Sequence, residues 1–445
     1  VSDAAEPHVP PGIAGTTAGE ISGSVRDLVD AGRLRPGDAL PPIRDLADGL
    51  GVHRNTVAIS YRLLVAAGVA ETRGRHGTLI RALPALEAEG GTASAGQVDL
   101  ASGNPDPRLL PDLMGALATM SYSAPLYGVP TTDPALEDWA RDTMGADLPH
   151  SSFGVTVTNG SVDAVERLLT ARLTRGDAVA IEDPCFLASV GTLRINGFRP
   201  LPVAVDTEGP TPDGLRRALQ DGARAVVLTP RAHNPTGMSR TAARTAEVRA
   251  VLADYPHAMI IEDDHFSAIS HQPYHRLITD QTSQWALVRS VSKFLGPDLR
   301  LAIVASDLDS AAQLNARLRP GTTWVSHLLQ RLTATLLTDP RVASRLSQAR
   351  RAYTQRSATL AESLADNGIT VHTPTDGVNL WIPLEVESSA VIKGLEDQGW
   401  TVRDGAQFAA TPTSSHNAIR VTTAAITPAQ ARRFAAALAH TLREQ

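Results

Sequence analysis

The stretch "RSVSKFLGPDLR", residues 289–300, contains Lys293, one of only two lysines among 41 basic side chains; the other 39 are arginine. An amine that can shed its proton forms a Schiff base with an aldehyde, whereas a guanidinium stays charged and cannot. Such chemistry would keep a lysine at this position. A surface lysine retained by chance is the plainer explanation, and it suits Lys393 in "VIKGLEDQG". The neighbours of Lys293 have to decide between the two. Ser290, Ser292 and Arg300 set hydroxyls and a guanidinium beside it, able to bind one phosphate together.

Working outward, "TNGSVDAVERLL" (158–169) puts Gly160 and Ser161 at a turn that opens a helix, where unsatisfied N–H groups and the helix dipole favour a phosphate. In "IIEDDH" (260–265) an apolar strand ends in Asp263 and Asp264. A carboxylate at that end can hold a pyridine nitrogen protonated. Asn234 in "HNPTG" can donate to a phenolic oxygen, and Phe186 in "EDPCFLAS" can stack on a ring. Each residue has an ordinary alternative: Asp263 as a cap or surface acid, Asn-Pro as a turn, Phe186 as a core aromatic. Cys185, the single cysteine, reads as a small packed residue.

These segments lie in an alternation of apolar strands ("GVTVTNG", "DAVAIED", "ARAVVLTP", "AMIIEDD") with helical stretches such as 162–172 and 241–253. The pattern predicts parallel strands in a three-layer α/β domain. The last hundred residues mix long helices (340–364, 428–442) with short strands at 378–384 and 418–422, and predict a smaller lobe.

Upstream, Ile21, Val25, Leu28 and Val29 form an apolar stripe on a helix that "GRLRPGDALPP" ends. A short helix from Ile43, the turn "GLGV" and a helix from Arg54 with Val57, Tyr61 and Leu64 inward make a helix-turn-helix unit. "VAETRGRHGTLIRAL" then predicts two strands around a glycine-bounded turn. Residues 54–81 carry a net charge of +4, whereas residues 1–53 carry four arginines against eight acids. "HRNT" (53–56) presents short polar and cationic groups at a helix start, as a major-groove reader requires, and "RGRHG" (73–77) forms a cationic tip suited to phosphates or the minor groove. A helical domain with a solvated basic face is the alternative. "ALPALEAEGGTASAGQ" (82–97) reads as a linker, so the expected organisation is a head at 1–81, a linker at 82–97 and a large domain at 98–445.

The chain has 445 residues, a net charge of −6 and 42% hydrophobic residues, enough for more than one domain. One cysteine excludes an internal disulfide and suits a reducing compartment, so a cytoplasmic protein is expected. No apolar run is long enough to span a membrane, and no metal site is expected.

Two resemblances carry these readings further. "IRDLADGLGVHRNTVAISYRLLVAAGVAETRGRHGT", with "AGRLRPGDALPP" before it, resembles the winged-helix domain of GntR-type bacterial transcription regulators over residues 18–81. That implies contacts to double-stranded operator DNA from Arg44, Arg54, Asn55 and Thr56, and from Arg73, Arg75 and Gly77 in the wing; His53 stands where serine is commoner. Residues 98–445 resemble fold type I aminotransferases, an α/β fold with a smaller C-terminal lobe. That resemblance implies pyridoxal 5'-phosphate on Lys293 as an internal aldimine, with Asp263 on the pyridine nitrogen, Asn234 on the phenolic oxygen and Phe186 stacked. It assigns the phosphate to Gly160, Ser161, Ser290 and Arg300, and Tyr127 in "LYGVP" reaches in from a second subunit. Arg420 in "AIRVTTAAITP" takes an effector carboxylate. His265 replaces a commoner tyrosine, and Phe186 also lacks the usual tyrosine hydroxyl. The two halves together resemble the MocR subfamily of GntR-type regulators, with "EDDHFSAIS" and "RSVSKFLGPDLRLAIVAS" similar to its PtsJ-type branch. This implies a head-to-tail homodimer that senses pyridoxal phosphate or an amino compound. The alternative is a working aminotransferase with a fused DNA-binding module.

Overall fold

Thr17 starts the first helix by a reciprocal cap: its hydroxyl accepts the Glu20 N–H (3.3 Å) and the Glu20 carboxylate accepts the Thr17 N–H (3.1 Å). The structure is a computed structural model that describes residues 12–72, 77–81, 90, 93–94, 96–373, 375–411 and 413–445. Contacts divide the chain into two units, Val1–Ala85 and Leu86–Gln445. The first contains α1 (Ala18–Asp30), α2 (Ile43–Leu50), α3 (Arg54–Ala66), β1 (Ala70–Thr72) and β2 (Thr78–Ile80). Gly51, at φ +65°, ends α2 in the left-handed region and turns the chain into α3. β1 and β2 pair antiparallel, Ala70 opposite Ile80, and Ala39 bridges to Leu79 on the other side of β2. Ile21, Val25, Leu28, Leu46, Val57, Tyr61 and Leu64 fill the core, matching the helical spacing in the sequence. Arg73 and Arg75 lie outside the described residues; Gly77, at φ +78°, precedes β2 in a conformation that favours glycine.

The second unit begins with β3 (Val98–Asp99), α4 (Leu113–Thr119) and α5 (Pro134–Gly145). The alternating region follows: β4 (Gly154–Thr158), α6 (Ser161–Arg172), β5 (Ala178–Asp183), α7 (Leu187–Asn196), β6 (Arg199–Asp206), β7 (Gly209–Pro210), α8 (Pro212–Gln220), β8 (Ala223–Leu228), α9 (Ala242–Ala253), β9 (Met259–Asp263), β10 (Trp285–Ser290) and β11 (Ala302–Ser306). After α10 (Leu308–Leu318), α11 (His327–Thr338) and the long α12 (Pro340–Ala365) come β12 (Asn379–Pro383), α13 (Ser388–Asp397), β13 (Trp400–Thr401), β14 (Arg403–Asp404), β15 (Ala418–Thr422) and α14 (Pro428–Arg443).

Eight strands form one sheet in the order β4-β11-β10-β9-β8-β5-β6-β7. The central run from β10 to β6 is parallel, but β11 is antiparallel to both neighbours and β7 is antiparallel to β6. The expectation of parallel strands fails there for a steric reason. Only residues 291–301 separate β10 from β11, too few for the crossover that a parallel neighbour needs. That short connection carries Lys293. Apolar side chains cover both faces of the sheet, with Val179, Ile181, Val227 and Ile261 on one and Ala180, Val226, Leu228 and Ile260 on the other.

The smaller lobe packs α13, α14 and the end of α12 on the sheet β12-β15-β14. It also recruits β3, which pairs parallel with β13 through Val98 and Trp400. The sequence reading confined this lobe to the last hundred residues, because a two-residue strand has no periodicity to detect.

Candidate functional site

The C-terminal ends of the parallel strands open onto a cavity of about 240 Å³, where ligands bind in open α/β sheets. Gly160, Ser161, Phe186, Asn234, Asp263, His265, Ser290, Lys293 and Arg300 all line it. These are the cofactor-site residues expected from the sequence, with the exception of Tyr127. Tyr127 is 89% exposed and packs edge-on against Trp324 (5.3 Å), outside the cavity of its own chain.

One end is built for an anion. Gly160, at φ +94°, precedes the first turn of α6, and a Cβ there would meet the Arg300 guanidinium at 3.6 Å. That distance is ordinary van der Waals contact, so it is the left-handed φ that favours glycine here, and the Arg300 guanidinium lies against the start of α6. Arg300 itself is held in the left-handed region at φ +44°. On the facing loop the Ser290 hydroxyl donates to the Ser292 hydroxyl (3.2 Å).

Two carboxyls, Asp263 and Glu182, also line the wall. Asp263 is pushed up to about 7, chiefly by burial and then by the neighbouring Asp264, against a hydrogen bond from Ser161. Its Oδ1 is buried without a hydrogen-bond partner among the described residues. Glu182, 3% exposed, is pushed up to about 8 by burial, with Asp263 adding to the shift. Its Oε2 accepts the Thr229 N–H (3.0 Å), and its Oε1 has no partner among the described residues. His233 Nε2 lies 3.4 Å from Glu182, yet burial depresses this imidazole to about 3. Both groups are therefore neutral at pH 7, and their contact is no ion pair.

Asp264 has the opposite environment. Burial raises its pKa, but Arg289 and Arg231 outweigh burial and hold it below the ordinary range. Arg231 grips it with two bonds of 2.8 Å, and Arg289 Nε donates at 3.0 Å. The Asp264 anchor sits in the chain beside Asp263 and fixes the end of β9.

Lys293 Nζ donates to the Gly103 carbonyl at 2.6 Å. Arg420 is wholly buried, stacks over Phe408 at 5.0 Å and donates Nη1 to Asn234 Oδ1 at 3.0 Å. That bond orients the Asn234 amide, with its donor end turned away from Arg420. Arg420 touches the site through Asn234 and does not line the cavity. Cys185 lines the wall but is buried, and burial drives its thiol well above the ordinary range, so it is the unreactive packed residue the sequence suggested.

The sequence reading missed Glu182, Asn104 and Thr229 as wall residues. Glu182 carried a usable signal, since "AVAIED" ends an apolar strand in acids as "AMIIED" does.

Pyridoxal phosphate fits this site on three observations. The Gly160–Arg300 end would suit a dianion, Lys293 supplies a primary amine, and Asp263 Oδ1, without a hydrogen-bond partner among the described residues, would take a ring N–H.

In the first unit, His53 caps α3, its Nδ1 accepting the Asn55 N–H (3.2 Å). This gives a structural reason for a histidine where serine is commoner. Arg44, Arg54 and Asn55 are exposed and Thr56 is half-buried. Arg44 also approaches Asp48 at 3.8 Å.

The family model for aminotransferase class I and II matches residues 95–438, and that for bacterial regulatory proteins of the gntR family matches residues 17–80. The vitamin B6 salvage pathway transcriptional repressor PtsJ of Salmonella typhimurium is 47% identical over 425 residues, covering 95% of this chain and 98% of PtsJ. The chain belongs to the MocR type of gntR-family regulators. The probable rhizopine catabolism regulatory protein MocR of Rhizobium meliloti is 26% identical over 75% of this chain and 74% of its own. Among solved structures, kynurenine aminotransferase of Pyrococcus horikoshii superposes with a TM-score of 0.72 at 18% identity, covering 79% of this chain and 92% of that one. This likeness gives the MocR-type chain its fold type I architecture. Among the described residues no helix is long and apolar enough to cross a membrane.

Proposed function

We propose that this protein is a transcription regulator whose gntR-type head binds operator DNA and whose aminotransferase-like unit senses pyridoxal phosphate at Lys293. The observation that carries the reading is the convergence of nine residues expected from the sequence on one cavity that includes a buried carboxyl oxygen, Asp263 Oδ1, without a hydrogen-bond partner among the described residues. When bound, pyridoxal phosphate supplies an aldehyde open to attack by an amine and a ring that withdraws electrons. Gly160, Ser161, Ser290 and Arg300 bind the phosphate. Asp263 holds the proton of the ring nitrogen, and the charge there stabilises its ionised form against the burial that now keeps it partly protonated. Asn234 donates to the phenolic oxygen, Phe186 stacks on the ring and His265 stands where a second donor is needed. In the head, Arg44, Arg54, Asn55, Thr56, Arg73, Arg75 and Gly77 contact DNA.

The active assembly is a cytoplasmic homodimer arranged head to tail, in which Tyr127 completes the cavity of the second copy. Its exposed ring next in the chain to the exposed Leu126 supports this. By analogy with the repressor of vitamin B6 salvage, the regulated function is cofactor supply and the sign is repression. The domain boundaries follow the same reading: head 1–81, linker 82–97, sensor 98–445. A working aminotransferase is the second reading, favoured by the placement of Arg420 beside Asn234.

The test is a gel shift on DNA upstream of the protein's own gene with and without pyridoxal phosphate, run beside absorbance spectra. Wild type should gain a band near the visible edge and change its DNA affinity, and Lys293→Ala should do neither. A band that survives in Lys293→Ala would refute the assignment, and steady keto-acid production from amino acids would favour the enzyme.

A further inference from the structure

A second group of cations lies on the face of the large sheet away from Asp263. Successive side chains of a strand point to opposite faces, so Glu262 shares the face on which Ile260 packs with Val248 and Leu252 of α9. Glu262 is fully engaged there: Arg240 Nη2 holds Oε1 at 2.5 Å, and the Tyr274 hydroxyl and the Leu277 N–H hold Oε2 at 2.8 Å each. Arg249 of α9 lies near enough to feel Glu262, Arg240 and a third guanidinium, that of Arg276.

What remains is an excess of donors and of charge. Arg240 Nη1, Arg249 Nε and Arg276 Nε are each buried with no hydrogen-bond partner among the described residues. Arg240 is 1% exposed, and Arg249 and Arg276 are half-buried with neither a hydrogen bond nor an ion pair among the described residues. Burial and then the neighbouring Arg276 lower the pKa of Arg249, and burial, Arg240 and Arg249 lower that of His275. Buried donors without acceptors are costly, and three guanidiniums against one carboxylate leave two positive charges to neutralise. Solvent reaches the group through a cavity of about 480 Å³ lined by Arg249, Tyr255, Thr279 and Gln281. The exposed Asp280 also lines it and pairs with neither arginine.

We propose that Arg249 and Arg276, backed by Arg240, form a second anion site that takes a phosphate dianion, free or as a monoester, on the side of the sheet opposite the Lys293 cavity. Planar guanidiniums present paired donors to phosphate oxygens. A phosphomonoester carries about −1.5 to −2 charge near pH 7, which matches the excess. None of the three arginines lines the cavity at Lys293, so the two sites fill without competing.

The test uses the full chain loaded with pyridoxal phosphate, so that the phosphate end of the first cavity is filled. Thermal unfolding is followed with inorganic phosphate, glycerol 3-phosphate or, at equal ionic strength, sodium chloride. Phosphate should raise the Tm of wild type with increasing concentration, and chloride should not. Losing a charge-assisted bond weakens binding by about tenfold to hundredfold, so Arg249→Gln and Arg276→Gln should need that much more phosphate for the same rise. In chloride alone both variants should be at least as stable as wild type, because each loses a like-charge neighbour; an arginine with a merely structural role would behave oppositely. A rise with glycerol 3-phosphate as well as inorganic phosphate admits an organic monoester, and a rise with inorganic phosphate alone restricts the ligand to the free ion; both support the site. No phosphate-specific rise in wild type overturns the proposal. So does an equal phosphate response in wild type and both variants, which is what general salt exclusion from the surface would give. Absence of an absorbance band in the loaded protein would fail the cofactor assignment, and the comparison of wild type with the two variants would still decide the anion site.

Discussion

Replacing Glu182 by glutamine should abolish this residue's share of the loss of stability with rising pH in the cofactor-free protein. Glu182 is 3% exposed and pushed up to about 8, against an ordinary 4.5, by burial and by Asp263. Between those two values the folded state keeps a proton that the unfolded state has lost. Stability from this group is therefore present at low pH and drains away as pH rises. Each pH unit in that window is worth about 1.4 kcal/mol, so from pH 5 to pH 8 the wild type loses on the order of 3 kcal/mol through this residue. Glutamine does not titrate. Any fixed cost of the amide, such as an imperfect bond to the Thr229 N–H, is the same at both pH values and cancels in the comparison. Glu182→Gln should thus gain about 3 kcal/mol on wild type between pH 5 and pH 8. Urea unfolding followed by tryptophan fluorescence measures this cleanly, because all five tryptophans (139, 285, 324, 381 and 400) lie in the second unit. A difference between the two proteins that stays within about 0.5 kcal/mol from pH 5 to pH 8 would refute the buried-acid account.

Asp264→Asn should cost about 3–5 kcal/mol in the same unfolding assay, since it leaves Arg231 and Arg289 buried around a neutral amide; a loss below about 1 kcal/mol would mean that the guanidinium pair finds other anions. Arg54→Ala should weaken operator binding and reduce the slope of log affinity against log salt by about 1 if the contact is to phosphate, with the cofactor band intact. An unchanged affinity would remove Arg54 from the interface.

The legible parts of the sequence were those with a local signature. Helix stripes such as Ile21–Val25–Leu28 reported one buried face, and the strands that became β4, β5, β8 and β9 reported burial on both. Lys293 stood out because composition made it anomalous. The antiparallel β11 was not legible, since direction follows from the length of a connection and the layering of neighbours. β3 escaped notice because its pairing with β13 spans some three hundred residues and two hydrogen-bonded positions. His53 illustrates a subtler limit: its place in the motif was clear, but its role as a cap depends on ring geometry.

The acid pairs show why local signature stops short of chemistry. Glu182-Asp183 ends β5 and Glu262-Asp263 ends β9, and Ile181 and Ile261 are both level with Val227 of β8. By sequence the pairs are interchangeable. In space, Glu262 is held by Arg240 (2.5 Å), the Tyr274 hydroxyl (2.8 Å) and the Leu277 N–H (2.8 Å), which leaves Asp263 to face the cavity. On β5 the assignment is reversed. Asp183 takes His416 (2.6 Å) and the Ala410 N–H (3.0 Å) from the smaller lobe, and Glu182 forms the wall. Which acid of each pair faces the cavity is decided by cations and donors that arrive from distant segments, Arg240 and Tyr274 in one case and His416 in the other. Environment thus assigns the roles, as it does whenever two neighbouring carboxyls do different work. It follows that charge at the cofactor's ring can be tuned through residues that never touch it.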